Sequence, residues 1–423
     1  MKRNCVLNRI CDFYLKSGDF NGILASHLIT ELGLSWGKAK QHLASLVRNR
    51  EITLVFASHS INPHIKRIAD LPLEDQLMRL DAEPPDTFCA YPTSSVIETA
   101  VDVSTYSNRP FTKRILLAEP QLTPVFFDLD LLDRYYRDPR YHFDFQDYEG
   151  SIGMTTEHYE SDDVLEKDKV LLETFGIGYD QSRNFRVVGV FLRYLSRLSP
   201  EHQQIWNAHI IHEPCVMNSD YERVTIWGAW PQYHSVYHAF CQEQAEINKL
   251  AALIGKPGLF RQTFEEKRPE GFASMLRPTR KNFDEFVRVL DKMLSENINH
   301  EFFEGDMSME TKVAAPDGSI ETQRMGTLQA LETWLSESYE TQDDADLARE
   351  VLAPFREVRK LRQKPAHALQ EDEYDLGFPK AQDELLVRVC RALTSLRLVF
   401  SSHPSAKSYQ PPEWLDGDHI VSY

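Results

Sequence analysis

ADLAREVLAPFREVRKLRQKPAHAL, residues 345–369 of a 423-residue chain, carries the pattern from which the fold is read. Leu347, Val351, Phe355 and Val358 recur at steps of four, four and three, the spacing of one apolar helical stripe. Arg356, Arg359 and Arg362 follow one another on a different face. Pro365 removes a backbone donor and bends or ends the helix, so His367 falls just past a distorted turn, five residues beyond Arg362. Arginine stays protonated and offers a planar fork to phosphate oxygens, whereas histidine exchanges a proton near neutral pH. An imidazole beside guanidinium groups suits chemistry on a phosphodiester.

Similar stripes flank this stretch. Phe283, Phe286, Val287, Leu290 and Leu294 predict a helix that Asn282 can cap, and Leu328, Leu331, Trp334 and Leu335 predict another. Leu385, Val389, Leu393, Leu396 and Phe400 complete the set. Between the first two, residues 304–324 are polar and contain the turn sequence Pro316-Asp317-Gly318, as expected of a long loop or hairpin. Four amphipathic helices of these lengths fit an antiparallel bundle over 276–405, with a tail at 406–423.

Within that bundle, Arg362-Gln363-Lys364-Pro365-Ala366-His367 resembles the R-x(4–6)-H signature of the HEPN superfamily, helical domains of toxin, CRISPR-associated and antiphage ribonucleases. Gln363 stands where that family often has Asn, Asp or His. The resemblance implies an RNA substrate, no metal or cofactor, and a homodimer whose paired Arg and His residues meet at one cleft. His367 would take the proton from a ribose 2′-hydroxyl, and Arg362, with Arg359 behind it, would stabilise the pentacoordinate phosphorus. The products would be a 2′,3′-cyclic phosphate and a 5′-hydroxyl. The neighbouring guanidinium groups would disfavour charged His367 and keep it available as a base. Arg356 and Lys364 are the further RNA-contact candidates in this stretch.

At the other end, Val6, Ile10, Phe13 and Tyr14 predict a first helix, and Leu24, Leu28 and Leu32 a second that stops at Gly33. Ser35 can cap a third, with Ala39, Leu43, Leu46 and Val47 on its buried face, and a strand at 52–56 follows. The order resembles a winged helix-turn-helix, which would present its third helix to a DNA major groove. Trp36, Lys38, Lys40, Gln41, His42, Arg48 and Arg50 are the contact candidates. Residues 1–50 hold eight basic against three acidic side chains, although the whole chain has a formal net charge of -17. That total argues against a general nucleic-acid or membrane-coating role, while leaving room for a local patch.

The middle of the chain reads as mixed α/β. Strands are expected at 115–117 and 125–127, and at 174–179 and 186–192 with a turn at 180–184 between them, a helix or helical turn at 129–136, and a surface loop at 156–168. Tyr135, Tyr136, Tyr141, Phe143, Phe145 and Tyr148 form an aromatic run, but Asp138, Asp144 and Asp147 within it would repel phosphate, so a packed core or protein interface is expected. Gly176 and Gly178 lack the third glycine of a dinucleotide fingerprint, and no cofactor is assigned. His209, His212, Glu213, His234 and His238 have spacings compatible with zinc. No thiolate pair or H-E-x-x-H reinforces them, so packed, hydrogen-bonded histidines and no metal are expected.

The six cysteines are scattered without a C-x-x-C pair, the start of the chain is charged rather than apolar, and nowhere do eighteen apolar residues run together. A cytoplasmic protein without a membrane segment is expected. The full reading is a multidomain α+β protein: a winged helix over 1–60, a connecting segment over 61–110, a mixed α/β domain over 111–275, and the HEPN-like bundle. The function it implies is a metal-independent endoribonuclease of the toxin or antiphage kind. The alternative is a non-catalytic DNA-binding regulator dimerised through its bundle.

Overall fold

A computed structural model describes residues 2–67, 69–182, 185–314, 320–339, 347–363, 371–416 and 419–422. The protein is α+β, with several small sheets, and it divides into two compact units, Met1–Trp230 and Pro231–Tyr423. The sequence suggested breaks near 60, 110, 275 and 405. Strand pairing and helix packing explain the coarser division.

Unit 1 opens with α1 (Lys2–Lys16), β1 (Ile23–Leu24), α2 (Ala25–Leu32), α3 (Trp36–Arg48) and β2 (Ile52–Phe56). Gly33 closes α2 in the left-handed conformation at φ 58°, which a side chain would resist. Ala39, Leu43, Leu46 and Val47 bury the inner face of α3, as their spacing predicted. The expected connecting segment is part of this fold: α4 (Leu73–Ala82) packs on α3, and β3 (Phe88–Pro92) pairs antiparallel with both β1 and β2, giving the order β1-β3-β2. Every residue of β3 is buried, so the sheet is complete only at residue 92.

Next come α5 (Ser94–Ala100) and α6 (Pro110–Leu116). The strand expected at 115–117 is therefore a helix. Pro110 occupies its first turn, where a missing amide costs nothing, and Phe111, Thr112, Ile115 and Leu116 form one buried face. The buried Gln203 carboxamide oxygen accepts from the amides of Phe111 and Thr112, each at 3.1 Å, satisfying donors that a helix start leaves unpaired.

The remaining elements of this unit are β4 (Pro124–Phe127), α7 (Asp133–Tyr136), β5 (Tyr141–Gln146), β6 (Glu149–Met154), α8 (Thr156–Glu160), β7 (Leu172–Asp180), β8 (Phe185–Phe191), α9 (Leu192–Leu195), α10 (Pro200–Asn207), β9 (Cys215–Met217) and α11 (Ser219–Trp227). The strands form one antiparallel sheet in the order β4-β8-β7-β6-β5, with β9 also paired to β7. Gly176 lies opposite Gly189, and a Cβ at Gly176 would run into the Tyr221 ring. Gly176 therefore serves close packing of α11 on the sheet, and Gly178 makes room for Phe126 and the Val216 carbonyl. The aromatic run is core as expected: Tyr135 is fully buried and bonds His202 Nδ1 at 2.8 Å and Trp206 Nε1 at 2.9 Å.

Unit 2 consists of β10 (His234–Ser235), α12 (Val236–Leu253), α13 (Arg280–Met293), a hairpin of β11 (Glu310–Ala314) and β12 (Ile320–Arg324), α14 (Thr327–Ser338), α15 (Leu347–Val351), α16 (Ala353–Gln363), α17 (Gly377–Ser401) and β13 (Ile420–Val421). The hairpin agrees with the expected turn region, and residues 315–319 themselves lie outside the described residues. Thr279, rather than Asn282, caps α13, its side chain accepting from the Asn282 amide. Helix α12 belongs here and not to a middle domain, because Phe240, Ile247 and Leu250 share one core with Leu393, Leu396 and Phe400 of α17.

Within the stretch 345–369, the described residues 347–363 form two helices, not one. Pro354 in the first turn of α16 lacks an amide and would crowd the carbonyl of residue 350, so the chain breaks at the buried Leu352. Across the core, Arg397 of α17 bonds Glu243 of α12 at 2.7 Å, with both side chains 1% exposed. Thr394 adds a 2.7 Å bond to Glu243, and Asp416 also pairs with Arg397. Among the described residues no helix is long and apolar enough to cross a membrane.

Removing Glu243 leaves the buried Arg397 with only Asp416, a carboxylate 47% exposed, in place of a buried partner. Glu243→Ala is expected to lower the stability of unit 2 by about 3–5 kcal/mol. Urea unfolding followed by tryptophan fluorescence checks this, and a loss under about 1 kcal/mol would contradict the pairing.

Candidate active site around α16

Phe355 and Val358 bury one side of α16 in the unit 2 core, which turns the three arginines toward α13 and α14. Each meets a carboxylate. Arg356 pairs with Glu332 of α14 and bonds the Arg349 carbonyl at 3.3 Å. Arg359 Nη1 lies 3.0 Å from Asp291 Oδ2, and Arg362 Nη1 lies 2.7 Å from the same oxygen. Glu296 also pairs with Arg362 and stands 3.8 Å from Arg359.

The Asp291 side chain is 0% exposed, whereas those of Arg359 and Arg362 are 40% and 33% exposed. Its second oxygen accepts from the Ser295 hydroxyl. One buried carboxylate thus holds two half-open guanidinium groups side by side, and all of these contacts use Nη1. The remaining N–H groups of both arginines have no hydrogen-bond partner among the described residues. Burial would lower the proton affinity of Arg362, but the hydrogen bond to Asp291 and the charges of Glu296 and Asp291 more than reverse this. Arg362 stays charged. The two carboxylates balance the two guanidinium groups, so the cluster offers oriented donors with little net charge.

His367 and Lys364 lie outside the described residues. The sequence reading missed Asp291, Glu296, Ser295 and Glu332. Asp291 had a signal: it lies four residues after Val287 and three before Leu294, on the apolar stripe of α13, where a carboxylate requires a partner.

In unit 1, Lys38, Gln41, Ser45 and Arg48 follow one stripe along α3, with Lys38, Gln41 and Arg48 exposed, and Arg50 exposed just beyond. The side chains of Lys38, Gln41, Arg48 and Arg50 have no ion pair or hydrogen bond among the described residues. Lys40 is committed instead to Asp81 of α4 at 2.8 Å. Trp36 is half-buried against Phe88, with ring centroids 6.3 Å apart, and His42 is also half-buried. The accessible candidates reduce to Lys38, Gln41, Arg48 and Arg50.

The histidine pairs do not share helical faces as their spacing allowed. His209 and His212 flank Ile210, which bridges Phe127, and they belong to unit 1. His234 and His238 belong to unit 2, where their rings stack 5.0 Å apart and both lie against Trp414. Among the described residues no group of three or more His, Cys, Asp or Glu side chains is placed to hold a metal ion. Comparison with family models, with curated proteins and with solved structures found no match to this chain.

Asp291→Ala is expected to cost about 2–3 kcal/mol, less than loss of a partner from a fully buried pair, because water can still reach the freed arginines. Arg359→Ala should cost under about 1 kcal/mol, since Arg362 still neutralises the carboxylate. Thermal unfolding of the two variants checks the order, and equal losses would contradict it.

Proposed function

We propose that this protein is a metal-independent endoribonuclease whose reacting groups are Arg362 and His367, with Arg359 in support. The observation that supports this reading best is the convergence of Arg359 and Arg362 on the buried Asp291 carboxylate. It holds both guanidinium groups at the end of α16 that runs toward His367, with N–H edges left for a ligand. In the proposed step His367 removes the 2′-hydroxyl proton, the 2′-oxygen attacks the adjacent phosphorus, and the bond to the 5′-oxygen breaks. That oxygen leaves with a proton supplied by a second acid, for which the His367 of a twin subunit is the candidate. The arginine edges stabilise the charge that builds on the phosphoryl oxygens. A homodimer, a HEPN-like bundle, a cytoplasmic location and a toxin or antiphage role belong to the same proposal.

A second reading, a DNA-binding regulator without catalysis, is favoured by one observation of its own. The order α1-β1-α2-α3-β2-α4-β3, with β3 between β1 and β2, resembles a winged helix-turn-helix with an insert, and the outward stripe of α3 carries uncommitted Lys38, Gln41 and Arg48. Helix α4 engages Lys40 through Asp81, Trp36 lies against Phe88 of β3, and the stripe stays open.

Purified protein is expected to cut total RNA in EDTA. His367→Ala should slow cutting by about 10²–10⁴-fold, and Arg362→Ala by about 10²–10³-fold. Arg362→Lys, which keeps the charge and loses the fork, separates a catalytic loss from a folding loss when melting temperatures are compared. RNA left intact by the wild type overturns the proposal. Duplex DNA binding that Lys38→Ala and Arg48→Ala weaken, without any RNA cutting, would favour the second reading.

A further inference from the structure

Residues 294–300, just after α13, tie several parts of unit 2 to one edge. Ser295 bonds Asp291 through its hydroxyl, and its carbonyl accepts from Thr327 Oγ1 at 2.7 Å. Glu296 pairs with Arg362. The Asn297 carbonyl accepts from the Arg261 amide at 2.8 Å, and its side chain brackets the backbone of Gln262 at 3.0 and 2.8 Å. Ile298 bridges Phe260. Arg261 thus adjoins Asn297 through its backbone, and Arg324, at the end of β12, stands three residues before the Thr327 that bonds Ser295.

His300 closes this segment. Arg261 and Arg324 both lie within electrostatic reach of its ring; burial and then these two charges hold its pKa below the usual histidine value. Its Nδ1 is buried with no hydrogen-bond partner. Arg261 and Arg324 are exposed, and neither has an ion pair among the described residues. Glu310 is cross-strand from Arg324, and Glu301 follows His300, yet neither comes within ion-pair distance of these arginines. The contrast with α16 is physical. Arg359 and Arg362 are neutralised by Asp291 and Glu296 and attract a polyanion weakly, whereas Arg261 and Arg324 keep their charge for a ligand.

We propose that Arg261 and Arg324, on either side of the uncharged His300, form a backbone-binding patch for single-stranded RNA, holding a strand whose scissile phosphate lies at Arg359 and Arg362. The identity of the strand rests on the ribonuclease reading; the patch itself rests on its uncommitted charge. Affinity and chemistry are then divided between two groups of cations on one edge.

The test measures binding of a labelled, unstructured RNA of about 12 nucleotides by fluorescence anisotropy, in full-length protein carrying His367→Ala so that the strand survives. Adding Arg261→Ala and Arg324→Ala should weaken binding about tenfold near 0.1 M salt and reduce the slope of log Kd against log salt by about 1.4, or about 0.7 per phosphate contact. Arg261→Lys with Arg324→Lys should keep most of both. Unchanged affinity and slope in a variant that melts like its parent overturns the patch, as does absence of RNA binding or equal patch-dependent binding of duplex DNA. If the protein cuts RNA but the patch variants bind and cut normally, only the patch fails. If RNA is bound through the patch but never cut by the protein with His367 intact, only the ribonuclease reading fails.

Discussion

A carboxylate with no solvent exposure needs cations beside it, and the pairing of Asp291 with Arg359 and Arg362 meets that need. The pairing fixes more than charge. It ties α16 to α13 on the side opposite the buried Phe355 and Val358, which anchor the same helix in the core. It also makes the proposed chemistry geometrically economical, since two guanidinium groups held from behind present their free edges together.

Buried polar side chains act as fasteners elsewhere in both units. Glu243 and Arg397 join α12 to α17, and Asp416 extends that pair to the C-terminal segment. Buried glutamines satisfy backbone groups that secondary structure leaves open. Gln76 accepts from the Leu54 amide at 2.9 Å, Gln121 from Lys66 at 2.6 Å, Gln203 from the start of α6, and Gln382 from Met275 at 2.9 Å. Each joins segments distant in sequence, and leaving such a group unpaired costs about 1–3 kcal/mol. Long irregular stretches between short elements are tolerable for this reason.

Local signals were read well where periodicity and backbone chemistry decide the outcome. The stripe of α3, the glycine stop of α2, the hairpin pairing of β7 with β8 and the apolar face of α17 were all legible. Errors arose where a distant partner decides. Residues 115–117 look like a strand by composition, and become helical because Pro110 starts a turn that Gln203, far along the chain, completes. Strand β3 looks like connector in the sequence because nothing local announces its pairing with β1 and β2. At the candidate site the arginine face was visible, but its carboxylate partners lie on other helices. Only the misplaced polarity of Asp291 on an apolar stripe hinted at them. Pro354 was a local break overlooked in favour of a longer apolar stripe.

The central claim is that a ribose hydroxyl is the nucleophile at the end of α16. It is tested most directly by mapping a cut site in a defined RNA and replacing the single 2′-hydroxyl there by hydrogen. The account predicts a 2′,3′-cyclic phosphate at the original cut and none after the replacement, with cutting elsewhere in the strand preserved. Continued cutting at the deoxy position, or a 5′-phosphate on the downstream fragment, would contradict it.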